Sequence, residues 1–117
     1  MNEVNFQVID SEMRRQINEE IIEHFDNDLV ASMNVETFKG ACQDLAEVVL
    51  NKAVADAPAV GQQRICFLLE VITVVLASLN SMIEESTHNT FRFVMSRRRG
   101  FLTVVCLDLD EFEEYGL

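Results

Sequence analysis

Residues 91–109 decide the fold class, and they read FRFVMSRRRGFLTVVCLDL. From Thr90 to Met95 the residues alternate between two faces, with Phe91, Phe93 and Met95 on one of them. Phe101 to Leu109 forms a second run with strand character. Between them, residues 96–100 are a turn candidate because Gly100 can adopt a positive φ. This stretch therefore predicts an antiparallel hairpin.

The second strand of the predicted hairpin is apolar on both faces. One face can contact helices, and the other needs cover from another strand, the third predicted helix or a second copy of the chain. Residues Glu3–Ile9 also alternate, with Val4, Phe6 and Val8 on one side. Because an isolated hairpin is marginally stable, we expect this segment to add a third antiparallel strand, and we also expect a homodimer.

Two helices are predicted between the first strand and Pro58. Apolar residues recur at helical spacing after a capping Asp10, which predicts a helix over Ser11–Ser32. Asn34 can cap a second helix, which should end near Ala57 because a proline disfavours helical geometry in the residue before it.

A third helix should begin after Gly61, and its run from Ile65 to Leu79 is apolar nearly all round. This pattern predicts a buried core helix, because fifteen residues fall short of the roughly twenty that span a membrane. Its β-branched residues leave a strand in its middle as an alternative. Glu70 interrupts the run, so it should face solvent, pair with an arginine such as Arg64 or Arg92, or have a raised pKa.

The composition favours one globular domain over residues 1–117. The chain is 49% hydrophobic and 25% charged, and its 4 glycines and 1 proline are too few for a many-turned all-β fold. We therefore predict an α+β fold in the order β-α-α-α-β-β, with three helices packed on a small antiparallel sheet. The N-terminus resembles no secretory signal, so we expect a cytoplasmic protein.

The net charge of −11, from 9 Lys+Arg against 20 Asp+Glu, argues against direct binding of nucleic acid or an anionic membrane. The acidic residues concentrate in the first two predicted helices and in the C-terminal tail. They form either a solvated face or a surface complementary to a basic partner. The predicted partner-binding residues are Glu19, Glu20, Glu23, Asp26, Asp28, Asp110, Glu111, Glu113 and Glu114.

Positive charge concentrates at the hairpin. The arginines of the hairpin either pair with the acidic tail or bind a phosphate or carboxylate, since a guanidinium group can form two parallel hydrogen bonds with either anion. The alternative anion-binding residues are Arg92, Arg97, Arg98 and Arg99.

The sequence offers little that points to catalysis. Glu20, His24 and Asp28 follow one another at intervals of four residues, a spacing that could place metal ligands on one helix face. Such triplets arise by chance on acidic helices, so we expect no metal or cofactor. The three cysteines, Cys42, Cys66 and Cys106, lie far apart and are expected to be buried, reduced thiols. Phosphate-binding loops and nucleophile motifs are missing from the sequence, so we predict that the protein is not an enzyme and has no catalytic residues.

These observations predict an acidic, non-enzymatic protein that inhibits or neutralises a basic protein partner, such as a nuclease or a nucleic-acid-binding complex. Phage anti-defence proteins and toxin-immunity proteins offer a class-level analogy without a shared motif. One alternative is an oligomeric protein that binds a small ligand or nucleotide through its arginine-rich hairpin. Another is a structural or assembly dimer.

Overall fold

A computed structural model describes residues 9–58, 61–98 and 101–114, with side chains for all of these except residues 98, 101 and 112–114. The fold is α+β, as predicted, but in the described part of the chain four helices rather than three precede the hairpin, and a short helix follows it. Along the chain the elements are α1 (Ser11–Ile22), α2 (Asn27–Ser32), α3 (Val35–Asp56), α4 (Gln62–Glu85), β1 (Phe91–Arg98), β2 (Phe101–Asp108) and α5 (Leu109–Glu114).

The prediction of one helix over Ser11–Ser32 was wrong, because α1 ends at Ile22 and α2 starts at Asn27. Asp26 begins the second helix: its carboxylate accepts a hydrogen bond from the backbone N–H of Leu29 at 2.6 Å. Phe25 lies between the helices and is only 8% exposed. The chain therefore keeps its apolar contacts with the core while it changes direction.

The next two helices match their predicted limits closely. The side chain of Asn34 accepts the N–H of Thr37 at 2.8 Å and so caps α3. Gly61 precedes α4 with a φ of 88°, a conformation that suits glycine. Since Gln62–Glu85 is continuous helix, the alternative of a strand in its middle was wrong.

Helix α4 is the central element of the core. It contacts α1, α3 and both strands of the hairpin. Within the described ranges it is also the one helix long and apolar enough to cross a membrane, although 39% of its most apolar window is buried inside the fold. Less than half of that window is therefore buried, so the prediction of a helix buried on several sides holds for only part of α4.

The predicted hairpin is present, with Phe91 paired to Asp108 at its open end and Arg98 paired to Phe101 at its tip. Because β1 continues through Arg98, the prediction that residues 96–98 belong to the turn was wrong. Side-chain amides from the helices bind its two outer edges. Asn80 of α4 bonds both backbone groups of Phe93, and Gln43 of α3 donates to the carbonyl oxygen of Val104 at 2.9 Å. The sheet has two strands in the described part of the chain; the predicted strand Glu3–Ile9 lies outside it except for Ile9.

Glu70 binds an arginine, but neither of the two expected ones. Its carboxylate accepts the N–H of Ile9 at 2.8 Å and lies 3.6 Å from the guanidinium of Arg14. Arg64 instead donates to the carbonyl of Pro58, and Arg92 donates to backbone carbonyls beside it. The carboxylate inside the apolar run therefore holds the chain that enters α1 against α4.

Candidate binding surfaces

Four segments that are distant in sequence meet at one end of the molecule. His88, which follows α4, donates from Nε2 to the carbonyl oxygen of Met33 after α2, at 2.7 Å. The ring of Phe38 in the first turn of α3 contacts the ring of Phe91 at the start of β1, with centroids 5.7 Å apart. Phe38 also contacts Phe25 between α1 and α2, at 5.5 Å.

The end of the hairpin and α5 lie at this same end of the molecule. The Nζ atom of Lys39 in α3 lies 2.7 Å from the carboxylate of Asp108, the last residue of β2. The N–H of Leu109, the first residue of α5, donates to the carbonyl oxygen of Thr90 at 3.0 Å. Helix ends and loops of different elements therefore share one surface.

Exposed carboxylates gather on that surface, which we call the acidic pole. All of its members are exposed side chains on the segments just described. They are Glu23, Asp26, Asp28, Glu36, Glu84, Glu85, Asp108, Asp110 and Glu111.

Among the described residues, the cations near the acidic pole are Lys39 and Arg92, and both bind groups close to them. Lys39 pairs with Asp108 and, at 3.5 Å, with Glu36. The hydrogen bond to Asp108 is the main cause that raises the pKa of Lys39, so the ammonium stays charged. Arg92 donates to the carbonyl oxygens of Phe91 and Asn89 at 2.7 and 3.0 Å. The other carboxylates keep the surface strongly negative.

The structure divides the predicted partner-binding residues into three groups. Glu23, Asp26, Asp28, Asp110 and Glu111 lie at the acidic pole. Two others lie on α1 in local ion pairs: Glu19 is 2.7 Å from Arg15, and Glu20 is 3.4 Å from Lys52. Glu113 and Glu114 belong to α5, but their side chains lie outside the described residues.

Sequence reasoning missed four members of the acidic pole: Glu36, Glu84, Glu85 and Asp108. They lie at the ends of three elements that come together only in the folded chain. Position at a helix or strand end was the available signal, but it becomes informative only when the relative directions of the elements are known.

The structure describes the side chains of two arginines of the alternative anion site, and these two do not share a face. Arg92 and Arg97 are five positions apart on β1, so they point to opposite faces of the strand. The side chain of Arg98 and the whole of Arg99 lie outside the described residues. An anion shared between facing protomers stays a prediction.

An apolar groove lies toward the hairpin tip, at the opposite end of α3 and α4 from the acidic pole. It encloses about 640 Å³ between these helices and the hairpin. Ile65 is 50% and Val54 41% exposed there, which is high for side chains of this kind. The lining residues are Leu50, Val54, Arg64, Ile65, Leu68, Leu69, Ile72, Arg97 and Leu102.

The cysteines are free, but Cys42 alone is buried; Cys66 and Cys106 are half-buried, so the prediction of buried thiols was wrong for these two. Burial raises the pKa of Cys42 to about 12 and that of Cys106 to about 11, with nearby Lys39 opposing the second shift. Such thiols are poor nucleophiles near neutral pH, because the thiolate is the reactive form.

The structure brings together no candidate metal ligands where the sequence suggested a weak triplet. Glu20 lies on α1, His24 in the following turn and Asp28 on α2, so they do not share a helix face. In the described part of the chain, no group of three or more His, Cys, Asp or Glu residues is placed to hold a metal ion.

No protein-family profile matches this sequence, and no significant match was found among curated proteins or solved structures.

Proposed function

We propose that this chain is a non-enzymatic binding protein that inhibits or neutralises a basic protein by docking its acidic pole on a positively charged surface. The observation that supports the proposal is the convergence of exposed carboxylates from α2, α3, α4 and α5 on one end of the molecule. A nuclease or a nucleic-acid-binding complex fits this description, because such partners carry the positive grooves that bind phosphates.

The acidic pole suits recognition because its charges are held on a rigid frame. The aromatic contacts of Phe38 with Phe25 and Phe91 fix the segments that carry it. The hydrogen bond from His88 to Met33 joins two more of these segments. Preorganised carboxylates raise the association rate and the selectivity for a basic surface, since little ordering is needed on binding.

Matched neutralising variants test whether the acidic pole, rather than the overall charge, carries the binding. The first variant combines Asp28→Asn, Glu84→Gln and Asp110→Asn. The control combines Asp44→Asn, Glu47→Gln and Asp56→Asn, which removes the same charge from exposed positions elsewhere on α3. A pentalysine peptide serves as the basic probe, with the Kd measured by calorimetry in 20 mM salt.

We expect the first variant to weaken pentalysine binding about tenfold, because three exposed charges contribute about 0.5 kcal/mol each at low salt. The control should change the Kd less than twofold. Equal losses in both variants would show that the net charge alone attracts the peptide, and the proposal would then be wrong.

A further inference from the structure

Arg64 and Arg97 line a groove whose other described lining side chains are all aliphatic. Among the residues that the structure describes, the remaining lining side chains are leucine, isoleucine and valine, which carry no carboxylate and no amide. Guanidinium groups beside apolar walls, with no acidic side chain among them, leave positive charge available to a ligand.

The described cations divide into those with an acidic partner and those without one. Arg14, Arg15, Lys39 and Lys52 each pair with a carboxylate. Within the described ranges, Arg64, Arg92 and Arg97 form no ion pair; Arg92 donates to backbone carbonyls beside it, and Arg64 donates to the carbonyl of Pro58 at 3.0 Å. In a chain with 20 acidic residues, two arginines without an acidic partner therefore border the same groove.

We propose that this groove binds a small amphipathic anion, an unbranched alkyl chain that ends in a carboxylate. The carboxylate binds Arg64 and Arg97, and the chain lies against Ile65, Leu68 and Ile72. The volume of about 640 Å³ lies within the range of small-molecule sites.

The groove chemistry favours an alkyl chain over a peptide. A bound peptide brings backbone N–H and C=O groups that must find partners when they leave water. The described lining side chains offer donors from two arginines but no acceptor, so buried N–H groups of a peptide would lack side-chain partners there. An alkyl chain has no such requirement, and a terminal carboxylate only accepts.

Titration of the unaltered protein with decanoate, hexanoate and decanol tests the proposal first. Decanoate should bind best, since each additional CH₂ improves affinity up to about fourfold. Decanol has the same alkyl chain without the charge and should bind at least tenfold more weakly. Equal binding of decanol and decanoate, or no binding of decanoate at millimolar concentration, would overturn the proposal.

Variants then locate the site. Arg64→Gln with Arg97→Gln should weaken decanoate binding about tenfold, while decanol binding stays unchanged. The control, Arg15→Gln with Lys52→Gln, removes the same charge from exposed residues away from the groove and should bind decanoate normally. Equal effects of both double variants would overturn the proposal.

A blocking variant separates this ligand from a second copy of the chain. Ile65 is half exposed, so Ile65→Glu should leave the fold intact. The new carboxylate should abolish decanoate binding, because it removes an apolar contact with the alkyl chain and repels the carboxylate of the ligand. Sedimentation measures the oligomeric state in parallel. If Ile65→Glu dissociates an oligomer and the unaltered oligomer excludes decanoate, the groove is an interface between copies and the proposal is wrong.

Discussion

Asn80 binds the backbone of Phe93 through both ends of its side-chain amide. Its oxygen accepts the N–H at 2.8 Å, and its nitrogen donates to the carbonyl at 3.0 Å. This is the pattern that a neighbouring strand would provide, so one residue of α4 satisfies the edge of β1 where Phe93 is 1% exposed.

Replacing Asn80 with alanine should lower the free energy of unfolding by about 2 kcal/mol, because two backbone groups at a buried residue lose their partners. Urea denaturation followed by circular dichroism measures the change. Asn51→Ala, at an exposed position of α3, is the matched control and should cost less than about 0.5 kcal/mol, the usual size of a surface effect. Similar losses in the two variants would contradict the role assigned to Asn80.

The raised pKa of Cys106 predicts an unusual pH profile for its alkylation. In a protein with Cys42→Ala and Cys66→Ala, the rate with iodoacetamide should rise about tenfold per pH unit from pH 8 to 10, since the thiolate forms only toward a pKa of about 11. A denatured sample should level off near the ordinary thiol pKa. A folded protein that also levels off near pH 9 would show that burial does not hold Cys106 protonated.

Long-range partners could not be predicted for single residues. Asn80 and Phe93 are 13 positions apart, and Glu70 and Ile9 are 61 apart. The sequence showed that a carboxylate inside an apolar run needs a partner, which is a local energetic argument. It could not show that the partners would be Arg14 and the chain entering α1, because that depends on how α1 docks on α4.

At the scale of elements, the errors occurred where apolar spacing and capping disagreed. The limits of α3 and α4 followed from Asn34, Pro58 and Gly61, which act through local backbone chemistry. Between α1 and α2 the apolar stripe continues through Phe25, so periodicity alone predicted one helix. The cap formed by Asp26 outweighs that continuity.

Asp26→Ala should therefore destabilise the protein by about 1 kcal/mol through loss of the cap on α2. The control is Asp28→Ala, which removes a negative charge from the same helix. Asp28 is exposed and is not the N-cap residue. Urea denaturation of both variants provides the measurement. The explanation of the helix break is wrong if Asp26→Ala is as stable as Asp28→Ala.

At the scale of the whole molecule, α3 and α4 run antiparallel, so acidic residues at the start of α3 and at the end of α4 lie at the same end of the molecule. The sequence predicted acidic helices and an acidic tail. It did not predict that Glu84 and Glu85, at the end of α4, would lie at the same end of the molecule as α5. Helix directions are set by packing of the core, and no single segment encodes them.

Lys39 is the described cation that pairs with carboxylates within the acidic pole, so its contribution to stability should depend on salt. Lys39→Met keeps an apolar stem near the ring of Phe91, from which Nζ is 5.6 Å distant, but removes the charge between Asp108 and Glu36. In 20 mM salt the free energy of unfolding should fall by about 1 kcal/mol. In 1 M salt, where the Debye length is about 3 Å, less than half of that loss should remain.

Lys52→Met, which breaks a more exposed pair with Glu20, should change stability little at either concentration. A loss at Lys39 that is the same in both salts would instead assign its effect to packing, and the acidic pole would then carry less repulsion than its charges imply.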